Sequence, residues 1–211
     1  MEKLNFKIII PIALLSVATF VIGPACSAGP EPAVPYVPPP CVTTNTDFQN
    51  LIATVKSSDP AVVDIVSVDL LVHEYTFKVS KPKEICSIGY QGNVNMFSNN
   101  LPYQIQLVNA SGQNVMSTPN NIVFDNKITD YKGNRGTLTP GNLYTLRRLI
   151  PANGFLNDLG NTTGRILKIA NTTVTFPITS GDMTIVSSNF YDTTGGNFNN
   201  YAIPFIDIVF E

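Results

Sequence analysis

The chain has no tryptophan, one histidine and three cysteines, and charged side chains make up only 13% of its 211 residues. Each shortage excludes something. With His73 as the sole imidazole and no Cys-x-x-Cys, the residues for a zinc site are missing. A Ser-His-Asp hydrolase would have to use His73, yet no Gly-x-Ser-x-Gly elbow is present. No Gly-x-Gly-x-x-Gly or other phosphate-cradling loop occurs, so no cofactor is expected. No Asp-x-Asp-x-Asp loop marks calcium, and no metal is expected. A net charge of -2 gives no electrostatic case for nucleic acid or an anionic membrane surface.

Long apolar runs are also scarce, with one exception at the start. Lys3 and Lys7 precede Ile8–Gly23, a stretch without charge, and small residues follow at Gly23, Ala25, Ser27 and Ala28. A basic start, a short apolar stretch and a small-residue exit describe a secretory signal peptide over residues 1–25. The run falls short of the ~20 residues that span a bilayer, and Pro11 and Pro24 interrupt it. A retained signal anchor is the weaker alternative. Cleavage before Cys26 would make that cysteine a lipid-bearing first residue, although Ile22-Gly23-Pro24-Ala25 is only loosely a lipobox. Cleavage after Ala28 would discard it and leave a freely secreted or periplasmic protein. The extended spacer that follows, with six prolines between Ser27 and Pro40, favours the lipid anchor and an outer-membrane or cell-surface location. The chain divides into this signal, a Pro-rich tether over 26–41 and one domain over 42–211. The expected membrane contact is through Cys26 alone.

Two cysteines remain in the domain. In an oxidising compartment Cys41 and Cys86 are expected to pair, pinning the end of the tether to the domain, the alternative being two unpaired thiols with Cys86 buried.

What is abundant is Asn, Thr, Ser and Gly among short alternating apolar segments. Phe48, Leu51, Ile52 and Val55 at i, i+3, i+4 and i+7, with Asn45, Thr46 or Asp47 as cap, predict a helix of two or three turns, a strand being the competing assignment. From Ala61 onward period-2 alternation dominates. Val66, Val68, Leu70 and Val72 alternate, the phase slips near His73, and Tyr75, Phe77 and Val79 resume it. Further strands are expected at Cys86–Tyr90, Tyr103–Leu107, Leu143–Leu149, Arg165–Ile169, Thr172–Phe176, Thr184–Ser188 and Ile203–Phe210, with polar loops at 92–102 and 130–136. About nine short strands with at most one short N-terminal helix give an all-β fold, an antiparallel, jelly-roll-like β-sandwich, a closed barrel being the alternative.

Three stretches carry a resemblance. Tyr75-Thr76-Phe77-Lys78-Val79 followed by Ile85–Gly89, the turn and strand Leu138-x-Pro140-Gly141-x-x-Tyr144, and the ending Tyr201–Phe210 resemble secreted β-sandwich modules of unknown function from Bacteroidetes-type lipoproteins. The resemblance implies a non-catalytic role in carbohydrate or surface binding and brings no functional residues with it.

Candidate binding residues lie in three polar-aromatic segments: Phe97 and Asn99; Tyr131 and Arg135; Tyr191 and Phe198. Aromatic rings stack on sugar faces, and amides and guanidinium forks bond hydroxyls. Glycosidase chemistry needs only two carboxylates at a suitable separation, but no pair among Glu74, Glu84, Asp125, Asp130, Asp192 and Asp207 is marked by its context. Asp207, between Ile206 and Ile208, is either on a solvent face or a buried acceptor for backbone N–H groups. His73 reads as a structural partner for a backbone carbonyl, and of Arg147 and Arg148 one is expected to point out onto a solvated face. The leading expectation is a non-catalytic extracytoplasmic module that binds glycan or an envelope protein. A structural, adhesin or pilus-like subunit using Ile203–Phe210 as a donated strand is the alternative, and an exported hydrolase comes third.

Overall fold

A computed structural model describes residues 40–68, 70–117, 120–150, 163–170, 172–192 and 197–211. The signal peptide, the tether up to residue 39 and Cys26 lie outside the described residues.

Helix α1 (Asp47–Ser58) forms where the spacing predicts it. Phe48, Leu51, Ile52 and Val55 are its buried residues. Thr46 caps it by accepting from the Gln49 amide at 3.0 Å, and Asp47 and Lys56 suit its dipole at the two ends. Twelve strands follow: β1 (Val62–Val68), β2 (Val72–Val79), β3 (Lys83–Tyr90), β4 (Tyr103–Asn109), β5 (Asn121–Ile122), β6 (Asp130–Leu138), β7 (Tyr144–Leu149), β8 (Thr163–Ile169), β9 (Ile178–Ser180), β10 (Met183–Tyr191), β11 (Ala202–Pro204) and β12 (Asp207–Phe210). They form antiparallel sheets of order β5-β4-β7-β2-β10-β9, β12-β3-β6 and β1-β8-β11. The chain changes sheet repeatedly, among other places at Ser80–Pro82, between β2 and β3, and between β11 and β12.

The fold is all-β and sandwich-like. Tyr75, Phe77, Ile105, Leu107, Leu146 and Ile185 from the six-stranded sheet share one hydrophobic cluster with Ile85, Ile88, Leu138 and Ile208 from the β12-β3-β6 sheet, and with α1. The phase slip near His73 falls inside β2, whose first two residues, Val72 and His73, are both buried, and β1 and β2 lie in different sheets. Cys41 and Cys86 form a disulfide, with 5.7 Å between their Cα atoms.

Four expectations need correction. A second helix, α2 (Val94–Ser98), stands where a loop was expected, so the described residues hold two short helices; Asn93 Oδ1 caps it by accepting from the Asn95 and Met96 amides, and Met96 is buried beneath it. The polar stretch from Asp130 is strand β6, paired with β3 on both sides of a register shift between Ile85 and Ser87. As the outer strand of a three-stranded sheet, it buries Asp130, Asn134 and Leu138 and needs few apolar residues. Residues 172–176 are not a strand: among the described residues their backbone is tied to neighbours outside the segment by the Val174 amide on the Asn200 carbonyl, 2.7 Å, and the Thr172 amide on the Ile169 carbonyl, 3.5 Å, which do not make a ladder. The terminal stretch is two strands in two sheets, β11 on β8 and β12 on β3; Pro204 has no N–H to continue a ladder and sits at a sheet edge.

Candidate functional site

Alternation on the six-stranded sheet decides which side chains face away from the core. On β2, Tyr75, Phe77 and Val79 are buried, and Glu74 and Thr76 take the other face. On β7, Tyr144, Leu146 and Arg148 are buried while Thr145 and Arg147 look outward. Strand β10 buries Met183 and Ile185, then slips by one residue between Ile185 and Ser187. This bulge re-aims the rest of the strand: Ser188 and Phe190 turn inward, and Ser187, Asn189 and Tyr191 outward.

The register aligns these outward residues. Gln106, Arg147, Glu74 and Asn189 are consecutive partners across β4, β7, β2 and β10. Thr145, Thr76 and Ser187 make the next row, and the Thr76 and Thr145 hydroxyls lie 3.0 Å apart. Glu74 is held from two sides, by Arg147 Nε at 3.3 Å and by the Tyr191 hydroxyl, which donates at 3.4 Å. Partial burial, with the Glu74 charge second, raises the Tyr191 pKa and keeps the phenol protonated as a donor.

A groove of about 430 Å³ opens beside this ladder, between Glu74, Thr76, Ser187 and Asn189 on one side and Asn199–Asn200 on the other. Asn200 fixes the far wall from a left-handed conformation, φ 55°, that asparagine tolerates better than most residues. Its amide donates to the Ser188 carbonyl at 2.9 Å, and its side-chain oxygen accepts from the Ser188 amide at 3.1 Å. Asn189 Oδ1, a buried atom at this groove, has no hydrogen-bond partner in the protein, and neither has Ser188 Oγ on the inward face of the same strand. A buried acceptor left unpaired costs roughly 1–3 kcal/mol, so such atoms call for water or a ligand. The described lining is amide, hydroxyl and a single carboxylate.

A smaller cleft of about 260 Å³ lies between α1, β6, β8 and the β11–β12 connection, and Tyr131 lines it. Its floor holds Asp207, which is neither solvent-facing nor bonded to backbone as its sequence context suggested. Asp207 is 4% exposed and accepts from side chains: Thr46 Oγ1 at 2.9 Å, Tyr131 Oη at 2.8 Å and Gln49 Nε2 at 2.9 Å. Burial raises its pKa, and the three hydrogen bonds pull it back only in part. Burial and the Asp207 charge raise Tyr131 in turn. These groups satisfy one another and join α1 to β6 and β12, so the cleft reads as a structural joint.

The six sequence candidates therefore separate. Tyr191 does not line the groove but is tied to its wall by the bond to Glu74, 3.4 Å. Phe198 is 47% exposed but packs towards Tyr201, 5.8 Å between centroids, on the side of the buried Phe190 and away from the groove. Tyr131 belongs to the Asp207 joint, and Arg135 on the same strand pairs with Glu211. Phe97 is on α2 and exposed, and Asn99 caps the helix C-terminus, its Nδ2 donating to the Asn95 carbonyl at 2.8 Å. Arg147 is the outward member of its pair, as alternation requires. Arg148 is fully buried, donating to the Tyr90 hydroxyl at 2.9 Å and the Leu70 carbonyl at 3.0 Å. His73 is buried with its ring 4.8 Å from that of Phe190, and burial together with Arg148 depresses its pKa well below the usual value.

Glu74 entered the sequence reading only as one unmarked carboxylate among several and Arg147 as a residue of a solvated face, and Asn189 was not singled out. Alternation alone marks Glu74 and Arg147 as outward, but only the strand order sets them side by side. Among the described residues no three His, Cys, Asp or Glu converge as a metal site. Comparison with known proteins finds no matching family model, no similar curated protein and no similar solved structure.

Proposed function

We propose that the domain is a non-catalytic binding module whose ligand is a neutral, hydroxyl-rich chain, a glycan, held in the groove beside Glu74 and Asn189. The observation that carries this reading is the unpaired Asn189 Oδ1 at a groove walled by amides and hydroxyls. Sugar hydroxyls both donate and accept, which suits Asn189, Ser187, Asn199 and the Arg147–Glu74 pair. Tyr191 at the end of the ladder offers a ring edge beside these donors. Glycoside hydrolysis uses two carboxyl groups, and the described lining supplies Glu74 alone, already engaged with Arg147. The Cys41–Cys86 disulfide supports an oxidising, extracytoplasmic location, consistent with export and a lipid anchor at Cys26.

The test is calorimetric titration of the protein with polysaccharides, host glycans and cell-wall fragments. Asn189→Ala and Glu74→Gln are each expected to weaken the bound glycan roughly tenfold, the equivalent of one lost hydrogen bond, with no products released on long incubation. Equal binding by the wild type and both variants would remove the groove from the reading, and turnover of the glycan would replace it with hydrolysis.

A further inference from the structure

Strand β1 is an edge without the usual protections. It lies at the end of the β1-β8-β11 sheet, and among the described residues no strand pairs with its outer side. Edge strands are normally blunted by lysine, proline, a bulge or shortness, because their free N–H and C=O groups template another strand. Val62-Val63-Asp64-Ile65-Val66-Ser67-Val68 has seven residues, neither lysine nor proline, and an unbroken register with β8. Val63 and Ile65 are 39% and 38% exposed, unusual for β-branched side chains on a paired strand.

We infer that β1 pairs with β1 of a second copy of this chain, antiparallel about a two-fold axis at Ile65. A two-fold interface must be self-complementary, and this strand is. Centred on Ile65, all seven residues overlap: Val62 opposes Val68, Val63 opposes Ser67, Asp64 opposes Val66, and Ile65 meets its own copy. The strand's one charge never faces its like. Asp64 is also matched within its own chain, by Arg165 through two bonds of 2.9 and 2.7 Å and by Lys56 at 2.6 Å. These partners hold its pKa below the ordinary value, so the carboxylate stays paired and brings little repulsion to the axis. The occupant that fits both the open hydrogen-bonding edge and its apolar, charge-compensated side chains is the same strand again.

Sedimentation equilibrium of the full chain is the first measurement, and a concentration-dependent dimer is the expected result. Ile65→Lys places two ammonium groups opposite each other at the axis and should leave a folded monomer whose melting temperature no longer depends on protein concentration. Should that variant fold poorly, Ile65→Cys in a Cys26→Ser background gives a second readout. Directly opposed strand residues lie within disulfide range, so I65C should crosslink on mild oxidation while Val63→Cys, opposed to Ser67, should not. A wild type that stays monomeric at every concentration overturns the proposal, as does a dimer that survives Ile65→Lys or crosslinks equally through residue 63. A monomer whose β1 amides become protected only in envelope extracts would assign the edge to a strand of some other protein.

Discussion

Replacing Asp207 with alanine removes the acceptor on which α1, β6 and β12 converge. Thr46 Oγ1, Tyr131 Oη and Gln49 Nε2 all donate to it, and Gln49 keeps alternatives in the Thr43 carbonyl at 2.9 Å and the Tyr131 hydroxyl at 2.7 Å. Counting about 1 kcal/mol net for each of the three bonds gives a loss of about 3 kcal/mol for Asp207→Ala. Asp207→Asn keeps the volume and a carbonyl for Tyr131, and its amide can donate to Thr46, so its cost should be about 1 kcal/mol at neutral pH. The comparison also has a sign in pH. Burial raises the native pKa of Asp207 above its ordinary 3.8, so the folded state holds the proton more tightly than the unfolded chain. Its favourable contribution is therefore complete below the unfolded value and is lost as pH rises through the native one. Asp64 and Asp130, both depressed, behave oppositely and lose their contribution in acid, but they are common to both proteins and cancel in the difference. Urea unfolding of wild type and Asp207→Asn from about pH 4 to about pH 7 should show the gap moving in favour of asparagine as pH rises. A flat difference, or an Asp207→Ala protein as stable as the wild type, would refute the joint.

Two further outcomes follow from packing and covalent chemistry. Cys41→Ser opens a loop whose ends are 45 residues apart, leaves Cys86 as a buried thiol, and should cost about 4 kcal/mol by the loop-entropy relation; denaturation with and without reductant should then coincide for the variant. Gly164→Ala would set a methyl 2.6 Å from His73 Cε1, 2.7 Å from its Nδ1 and 3.0 Å from the Tyr90 hydroxyl, and should lower stability by roughly 1–3 kcal/mol with a changed near-UV tyrosine signal; a neutral substitution would mean that His73 does not pack as described.

The architecture was legible because alternation is a local signal. Tyr75–Phe77–Val79 and Tyr103–Ile105–Leu107 each display their buried face in consecutive residues, and the helical spacing of Phe48 to Val55 does the same for α1. Strand β6 was misread because a strand with one neighbour can carry Lys132, Gly133 and Arg135 outward without an alternating apolar signature. The groove was illegible for a different reason. Gln106, Arg147, Glu74 and Asn189 come from four strands whose order in the sheet, β4-β7-β2-β10, is not the order of the chain. The β10 bulge that turns Asn189 outward is written in a pairing, and a sequence alone carries no pairings. Asp207 showed the opposite case: its apolar neighbours pointed to burial, but its side-chain partners lie 76 to 161 residues away.

The aromatic residues explain the kind of binding to expect. Phe48, Tyr75, Phe77, Tyr90, Tyr103, Phe124 and Phe190 are all 2% exposed or less, so the core takes the rings that a sugar platform would use. With no tryptophan and Phe198 turned towards Tyr201, recognition in the groove falls to amides and hydroxyls, with the edge of Tyr191 beside it. Each such hydrogen bond exchanges a bond to water for a bond to sugar and contributes only about 1 kcal/mol net. On the proposed reading, a single groove of this composition would bind weakly, with fast release. A β1-paired dimer carries two grooves, and linked sites convert the second binding event into an intramolecular one, raising avidity without a new contact. Ligand length then separates the two proposals: an Ile65→Lys monomer should bind short oligosaccharides as the wild type does and lose affinity only for polymers long enough to reach both grooves.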